Sequence, residues 1–173
     1  MKALALLALF TAAGVFAQDP RVLKMEDDWR LQSSAQVKRP GETISTAGFQ
    51  ASGWHKTSVP ATVLAALVEN KVYPDPFFGL NLKSIPGFKQ GRWLVMPQGS
   101  PFRSSWWFRR EFTVPSTFRE RNVSLYLDGI NYQANVWLNG RRIAGSDAVI
   151  GAFRRFEFPV KQYLNGGRNV LAI

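Results

Sequence analysis

LDGINYQANVWLNGRRIAG, residues 127–145, decides the fold. Tyr132, Ala134, Val136 and Leu138 alternate with Gln133, Asn135 and Trp137. A period of two is that of a strand with one face on a core and one turned away from it. Asn139-Gly140 follows, and both residues tolerate the positive φ that a two-residue hairpin turn demands. The stretch therefore predicts an antiparallel hairpin.

The same period extends in both directions. In SSWWFRREFTV (104–114), Trp106, Phe108, Phe112 and Val114 share one face, and Trp107, Arg109, Glu111 and Thr113 share the other. In NVSLYLD (122–128), Val123, Leu125 and Leu127 alternate with Ser124, Tyr126 and Asp128. FRRFEFPV (153–160) and RNVLAI (168–173) supply two more strands, separated by Asn165-Gly166-Gly167. Short alternating strands joined by turn signals point to an all-β antiparallel sandwich or barrel.

The N-terminal half is less regular. PRVLKMEDDWRL (20–31) reads as a first strand or two, and residues 39–53, rich in Gly, Ser and Thr, read as a loop. SVPATVLAALVENKV (58–72) carries the one convincing helix signal. Ser58 is placed to cap it, Pro60 falls near its first turn, and Val63, Leu64, Leu67 and Val68 lie on one face. YPDPFFGLNL (73–82) then ends it, because Pro74 and Pro76 remove backbone donors and push their predecessors toward extended shapes. That loop is unusual in carrying Tyr73, Phe77 and Phe78.

Composition narrows the function. The chain has 173 residues, 46% hydrophobic and 13% aromatic, enough for one domain with a packed core. Lys2 precedes an uncharged apolar run from Ala3 to Phe16, and Val15-Phe16-Ala17 matches a signal-peptidase site. Residues 1–17 thus read as a secretory signal peptide, with Gln18 as the first mature residue and a periplasmic or extracellular destination. An uncleaved anchor is the other reading of that run. After it no apolar stretch reaches the ~18 residues of a membrane span.

With no cysteine and one histidine, His55, a structural zinc site and a disulfide framework are both excluded. No cofactor motif is present: neither a phosphate-binding loop nor a dinucleotide fingerprint occurs. His55 reads as a solvated imidazole in a surface turn. The formal charge of +10 could attract a polyanion. However, the paired arginines 109–110, 141–142 and 154–155 sit in or beside strands, where one of each pair faces water, so a nucleic-acid partner is not expected. Glu111 and Glu157 both lie on strands. A glycosidase pair needs one carboxyl of raised pKa, and the neighbouring arginines favour cross-strand ion pairs instead. No complete active site emerges from the residues.

Three segments together resemble a known family. They are WHKTSVPATVLAALVENKVYPDPFFGLNL (54–82), SSWWFRREFTVP (104–115), and the hairpin run of 127–145 followed by GAFRRFEFPVKQYLNGGRNVLAI (151–173). They resemble the N-terminal sugar-binding domain of glycoside hydrolase family 2, and most of all its β-mannosidase and exo-β-D-glucosaminidase branch. The resemblance implies a jelly-roll, galactose-binding-like sandwich with one short helix over residues 18–173. It implies immunoglobulin-like and TIM-barrel domains downstream, with both catalytic glutamates on the barrel and none in this chain. It implies retaining hydrolysis of a β-mannoside or β-glucosaminide, with carbohydrate and the downstream domains as partners. Finally, it implies that the 73–82 loop reaches the sugar pocket, where Tyr73, Asp75, Phe77, Phe78 and Asn81 supply the residue types a sugar needs; the other reading folds Phe77 and Phe78 back over the helix as core, with Asn81 assigned to the sugar and Phe78 to packing. A stand-alone carbohydrate-binding sandwich and a secreted polyanion binder remain the alternative readings. The apolar RNVLAI at the end of the chain is expected to leave a sheet edge unpaired or a core face uncovered.

Overall fold

The computed structural model describes residues 21–87, 96–118 and 120–173. The expected signal peptide and its cleavage point lie outside them. Among the described residues eight strands form two antiparallel sheets: β1 (Trp29–Ser33), β2 (His55–Thr57), β3 (Trp106–Thr113), β4 (Ser124–Leu127), β5 (Val136–Leu138), β6 (Arg141–Ala144), β7 (Phe156–Pro159) and β8 (Arg168–Ala172). The larger sheet runs in the order β2-β1-β3-β8-β5-β6, and β4 pairs with β7 in the smaller one.

The inward faces of the two sheets make the main core. Leu125, Leu127 and Phe156 from the small sheet pack with Trp29, Val136, Leu138 and Leu171 from the large one, with Phe108 and Phe112 at its margin. These are the residues that alternation assigns inward on β3, β4 and β5, so a jelly-roll β-sandwich is what forms. The hairpin turn forms at Asn139 and Gly140, with φ of 51° and 82°. A second cluster, Ile44, Trp54 and Ala172 with Trp107 and Trp137 beside it, lies on the opposite face of the large sheet, under residues 34–54.

That covering segment departs from expectation. The 39–53 stretch contains a one-turn helix, α1 (Gly41–Ile44), beside the predicted helix α2 (Val63–Glu69). Gly41 lies so close to the Trp137 indole that any Cβ there would collide with it. Gly140 N–H donates to Ser45 Oγ at 3.0 Å, so the hairpin tip docks on the end of α1. The first strand begins only at Trp29, and residues 21–28 form none.

Helix α2 is capped by Thr62, not Ser58. The Thr62 side chain accepts from Ala65 N–H at 3.1 Å, because the chain bends at Val59-Pro60, is extended at Thr62 and turns helical only after it. Ala66 and Leu67 are its buried residues. His55 is in strand β2, paired with Leu31, and not in a turn.

The expectation for the last strand is overturned. β8 lies in the middle of the large sheet, paired with β3 on one side and β5 on the other. Val170, Leu171 and Ala172 are all buried. A continuous apolar run signals burial on both faces, and here it marks a central strand.

Candidate functional site

The loop after α2 is built by its own polar groups. Asp75 Oδ1 accepts from Phe77 N–H at 2.9 Å, and its backbone oxygen accepts from Phe78 N–H at 3.2 Å and from Asn81 Nδ2 at 3.0 Å. Gly79 takes φ of 54°, and a 3-10 turn over Asn81–Ser84 closes with Ser84 Oγ donating to Asn81 O at 2.7 Å. Buried Ile85 anchors the far end. At the near end the Tyr73 ring lies against Phe102, centroids 6.0 Å apart, while Asn70 clamps the end of α2 to Lys56 of β2 through both its amide groups.

This frame holds large apolar side chains out of the protein. Phe77 is 97% exposed, Phe78 75% and Leu80 71%. Burying a side chain of that size is worth about 1.5–3 kcal/mol, so the loop forgoes three such burials and leaves an apolar surface in solvent. Phe78 is therefore not the packing residue that the core reading of the loop made it. The short 3-10 turn faces it outward, and the anchoring falls to Ile85.

The structure thus brings Tyr73, Asp75, Phe77 and Asn81 together on one loop, in unequal states. Tyr73 is packed on Phe102, Asp75 is engaged as the organiser of the turn, and Phe77 is free in solvent. Asn81 spends its amide hydrogens on Asp75 O, and its Oδ1 has no partner among the described residues.

The carboxylates of the strands are engaged elsewhere. Glu111 is held between Arg109, at 2.7 Å, and Arg168, at 3.4 Å, as expected for an ion-paired glutamate. Glu157 differs from expectation: its Oε1 accepts from Tyr126 OH at 2.8 Å directly across the β4–β7 ladder, and the neighbouring Arg155 pairs with Asp128 instead. The hydrogen bond to Glu157 is the main cause of a raised Tyr126 pKa. Among the described residues no group of three or more His, Asp or Glu side chains could hold a metal. No helix there is long and apolar enough to cross a membrane.

The 109–110 pair departs from the expectation that one arginine of each pair faces water, since Arg110 is itself partly buried, with Nε and Nη1 out of solvent. Arg141, Arg142, Arg154 and Arg155 are exposed, but Arg109 is only 3% exposed. Its Nε donates to Ile44 O at 2.9 Å, and its Nη2 donates to Thr46 O, Phe49 O and Glu111 Oε1. Alternation puts Arg109 on the face opposite the main core, and that face is roofed by residues 34–54. Arg109 is the group that ties roof to sheet. A lone arginine on a strand facing three main-chain oxygens has no signature in sequence.

The described residues form a two-layer sandwich with an exposed aromatic loop at its margin. Residues 29–173 match the model of the glycosyl hydrolase 2 galactose-binding domain-like family, and the chain belongs to that family. It is 36% identical over 146 residues to an exo-β-D-glucosaminidase of Streptomyces avermitilis, covering 83% of this chain and 14% of the relative. It is 29% identical over 153 residues to a mannosylglycoprotein endo-β-mannosidase of Lilium longiflorum, covering 86% and 15%. Among solved structures, the exo-chitosanase CsxA of Amycolatopsis orientalis superposes with a TM-score of 0.73 at 30% identity, over 86% of this chain and 16% of that one. The chain spans about a seventh of the length of these glycoside hydrolases.

Proposed function

We propose that this chain is the non-catalytic N-terminal domain of an exported, retaining exo-β-glycosidase that acts on β-glucosaminides or β-mannosides. Its 73–85 loop helps to close a sugar pocket whose catalytic carboxylates lie on a barrel elsewhere in the polypeptide. The observation that carries the reading is the loop itself. It is stiffened by Asp75 and Asn81 yet leaves Phe77, Phe78 and Leu80 in solvent. An aromatic face suits the apolar side of a pyranose, and the free Asn81 Oδ1 suits a hydroxyl. Support for the chemistry comes from relatives that are named for glucosaminidase and mannosidase activity and are about six times as long. The engagement of Glu111 and Glu157 in structural contacts favours catalysis elsewhere. Export rests on the sequence of residues 1–17, and N-terminal sequencing of secreted protein should begin at Gln18; a retained Met1 refutes cleavage.

The decisive experiment is steady-state hydrolysis of aryl β-D-glucosaminide and aryl β-D-mannoside by the full polypeptide. One of them should be turned over. Asn81→Ala should lower kcat/KM by about 1–3 kcal/mol, roughly 5- to 150-fold, with kcat carrying part of the loss. The Asn165→Ala control, in an exposed turn, should match wild type. No turnover of either glycoside sinks the enzyme assignment, whereas turnover with wild-type kinetics in Asn81→Ala and Phe77→Ala removes the loop from the pocket.

A further inference from the structure

The dipeptide Asn-Gly occurs twice in the chain, both times where the β5–β6 hairpin meets β8, and the two copies sit in opposite environments. Asn139-Gly140 is locked. The Asn139 amide donates to Tyr163 O and Asn169 Oδ1, both at 2.7 Å, and accepts from Val170 N–H at 2.9 Å. Gly140 N–H is taken by Ser45 Oγ. Asn165-Gly166 is the reverse. Both residues are exposed, the Asn165 side chain makes no hydrogen bond among the described residues, and Gly166 N–H has no partner there. A Cβ built on Gly166 or Gly167 would meet nothing within 4 Å, so the main chain has room to rearrange. The backbone of Asn165 is what the fold holds. The fully buried Asn169 amide accepts from Asn165 N–H at 2.7 Å and donates to Asn165 O at 3.1 Å and to Gly167 O at 2.9 Å.

Asparagine before glycine is chemically labile, because no side chain keeps the following nitrogen away from the carboxamide. We propose that Asn165-Gly166 is a site of spontaneous covalent modification that loosens this joint, and that the fold spares Asn139-Gly140. Gly166 N gives up its proton to hydroxide and attacks Asn165 Cγ. A C–N bond forms, the carboxamide C–N bond breaks, and the side-chain nitrogen leaves as ammonia. Water then opens the cyclic imide. Cleavage of the bond between Cγ and the ring nitrogen leaves aspartate; cleavage of the bond between the main-chain carbonyl carbon and that nitrogen leaves isoaspartate. The net change exchanges ammonia for water and needs no oxidant or cofactor. Isoaspartate routes the main chain through Cβ. One buried amide, Asn169, grips residues 165 and 167 together, and an extra main-chain atom between them pulls those grips out of register. This reading stands on the turn alone and is independent of glycosidase activity.

The full polypeptide is to be aged in mildly alkaline buffer, folded and in urea, and its peptides read by mass. In folded protein the peptide holding Asn165-Gly166 should show the exchange of ammonia for water and should accept methyl groups from protein L-isoaspartyl methyltransferase. The peptide holding Asn139-Gly140 should stay unchanged. In urea both should convert. Asn165→Gln and Gly166→Ala should each suppress the conversion at 165. Hydrogen exchange reads the joint. In converted protein the Val170 amide should exchange roughly 5- to 150-fold faster, the change expected when a buried hydrogen bond is lost. Asn165→Asp carries the new charge on an unaltered main chain and should exchange as wild type does. Equal conversion of both copies in folded protein, or conversion of neither, overturns the proposal, as does unchanged Val170 exchange after conversion.

Discussion

The hairpin joint around Asn139 and the loop around Asn81 use the same residue type to opposite ends. Asn169 is fully buried, and its amide accepts from Asn165 N–H and Asn139 Nδ2, both at 2.7 Å, and donates to Asn165 O and Gly167 O. Asn139 in turn accepts from Val170 N–H and donates to Tyr163 O. Every side-chain polar atom of that pair is spent inside the protein. Asn81 also donates inward, to Asp75 O, but the frame it stabilises carries phenylalanines into water. Satisfied amides can lock a core or brace a contact surface. Which of the two they do depends on what the neighbouring side chains face.

That contrast can be broken most severely at Arg109. Arg109→Met leaves the Glu111 carboxylate short of one partner and strands the carbonyls of Ile44, Thr46 and Phe49 under the roof. Thermal unfolding should show a loss of about 3–5 kcal/mol, the range for breaking a buried charged network. A change below about 1 kcal/mol would mean that the roof stands without its tie. Next comes Asn169→Ala, which unpairs buried groups at the joint and should cost about 2–4 kcal/mol by the same measurement.

The loop should behave in the reverse manner. Phe77→Ala removes a ring that touches solvent almost everywhere, so stability should stay within about 0.5 kcal/mol of wild type. If the loop contacts substrate, its effect belongs in KM and kcat. A large drop in melting temperature for Phe77→Ala would erase the distinction between the two regions.

The smallest effect is expected at Tyr126. Its folded pKa is raised above the ordinary value of 10.0, chiefly by the hydrogen bond to Glu157. The folded chain therefore holds the phenolic proton more tightly than the unfolded chain does. The resulting stabilisation is complete below about pH 10 and is lost as pH rises through the folded pKa. Because the side chain is exposed, Tyr126→Phe should only flatten the alkaline limb of the stability profile, a change read by denaturant midpoints above and below pH 10.

Much of this protein was determined by sequence alone, because strand alternation and turn chemistry are local. The inward faces of β3, β4 and β5 follow from a period of two, and the Asn139-Gly140 turn follows from backbone sterics. The loop bounded by Pro74 and Pro76 follows from missing donors. What required the tertiary structure was the partner of each outward face. Arg109 and Arg142 lie alike on the face turned away from the main core, Arg142 opposite Trp137 across the hairpin. Only the fold of residues 34–54 over the large sheet buries the first and leaves the second in water. RNVLAI likewise reads as apolar in sequence, but its place between β3 and β5 is a matter of long-range pairing.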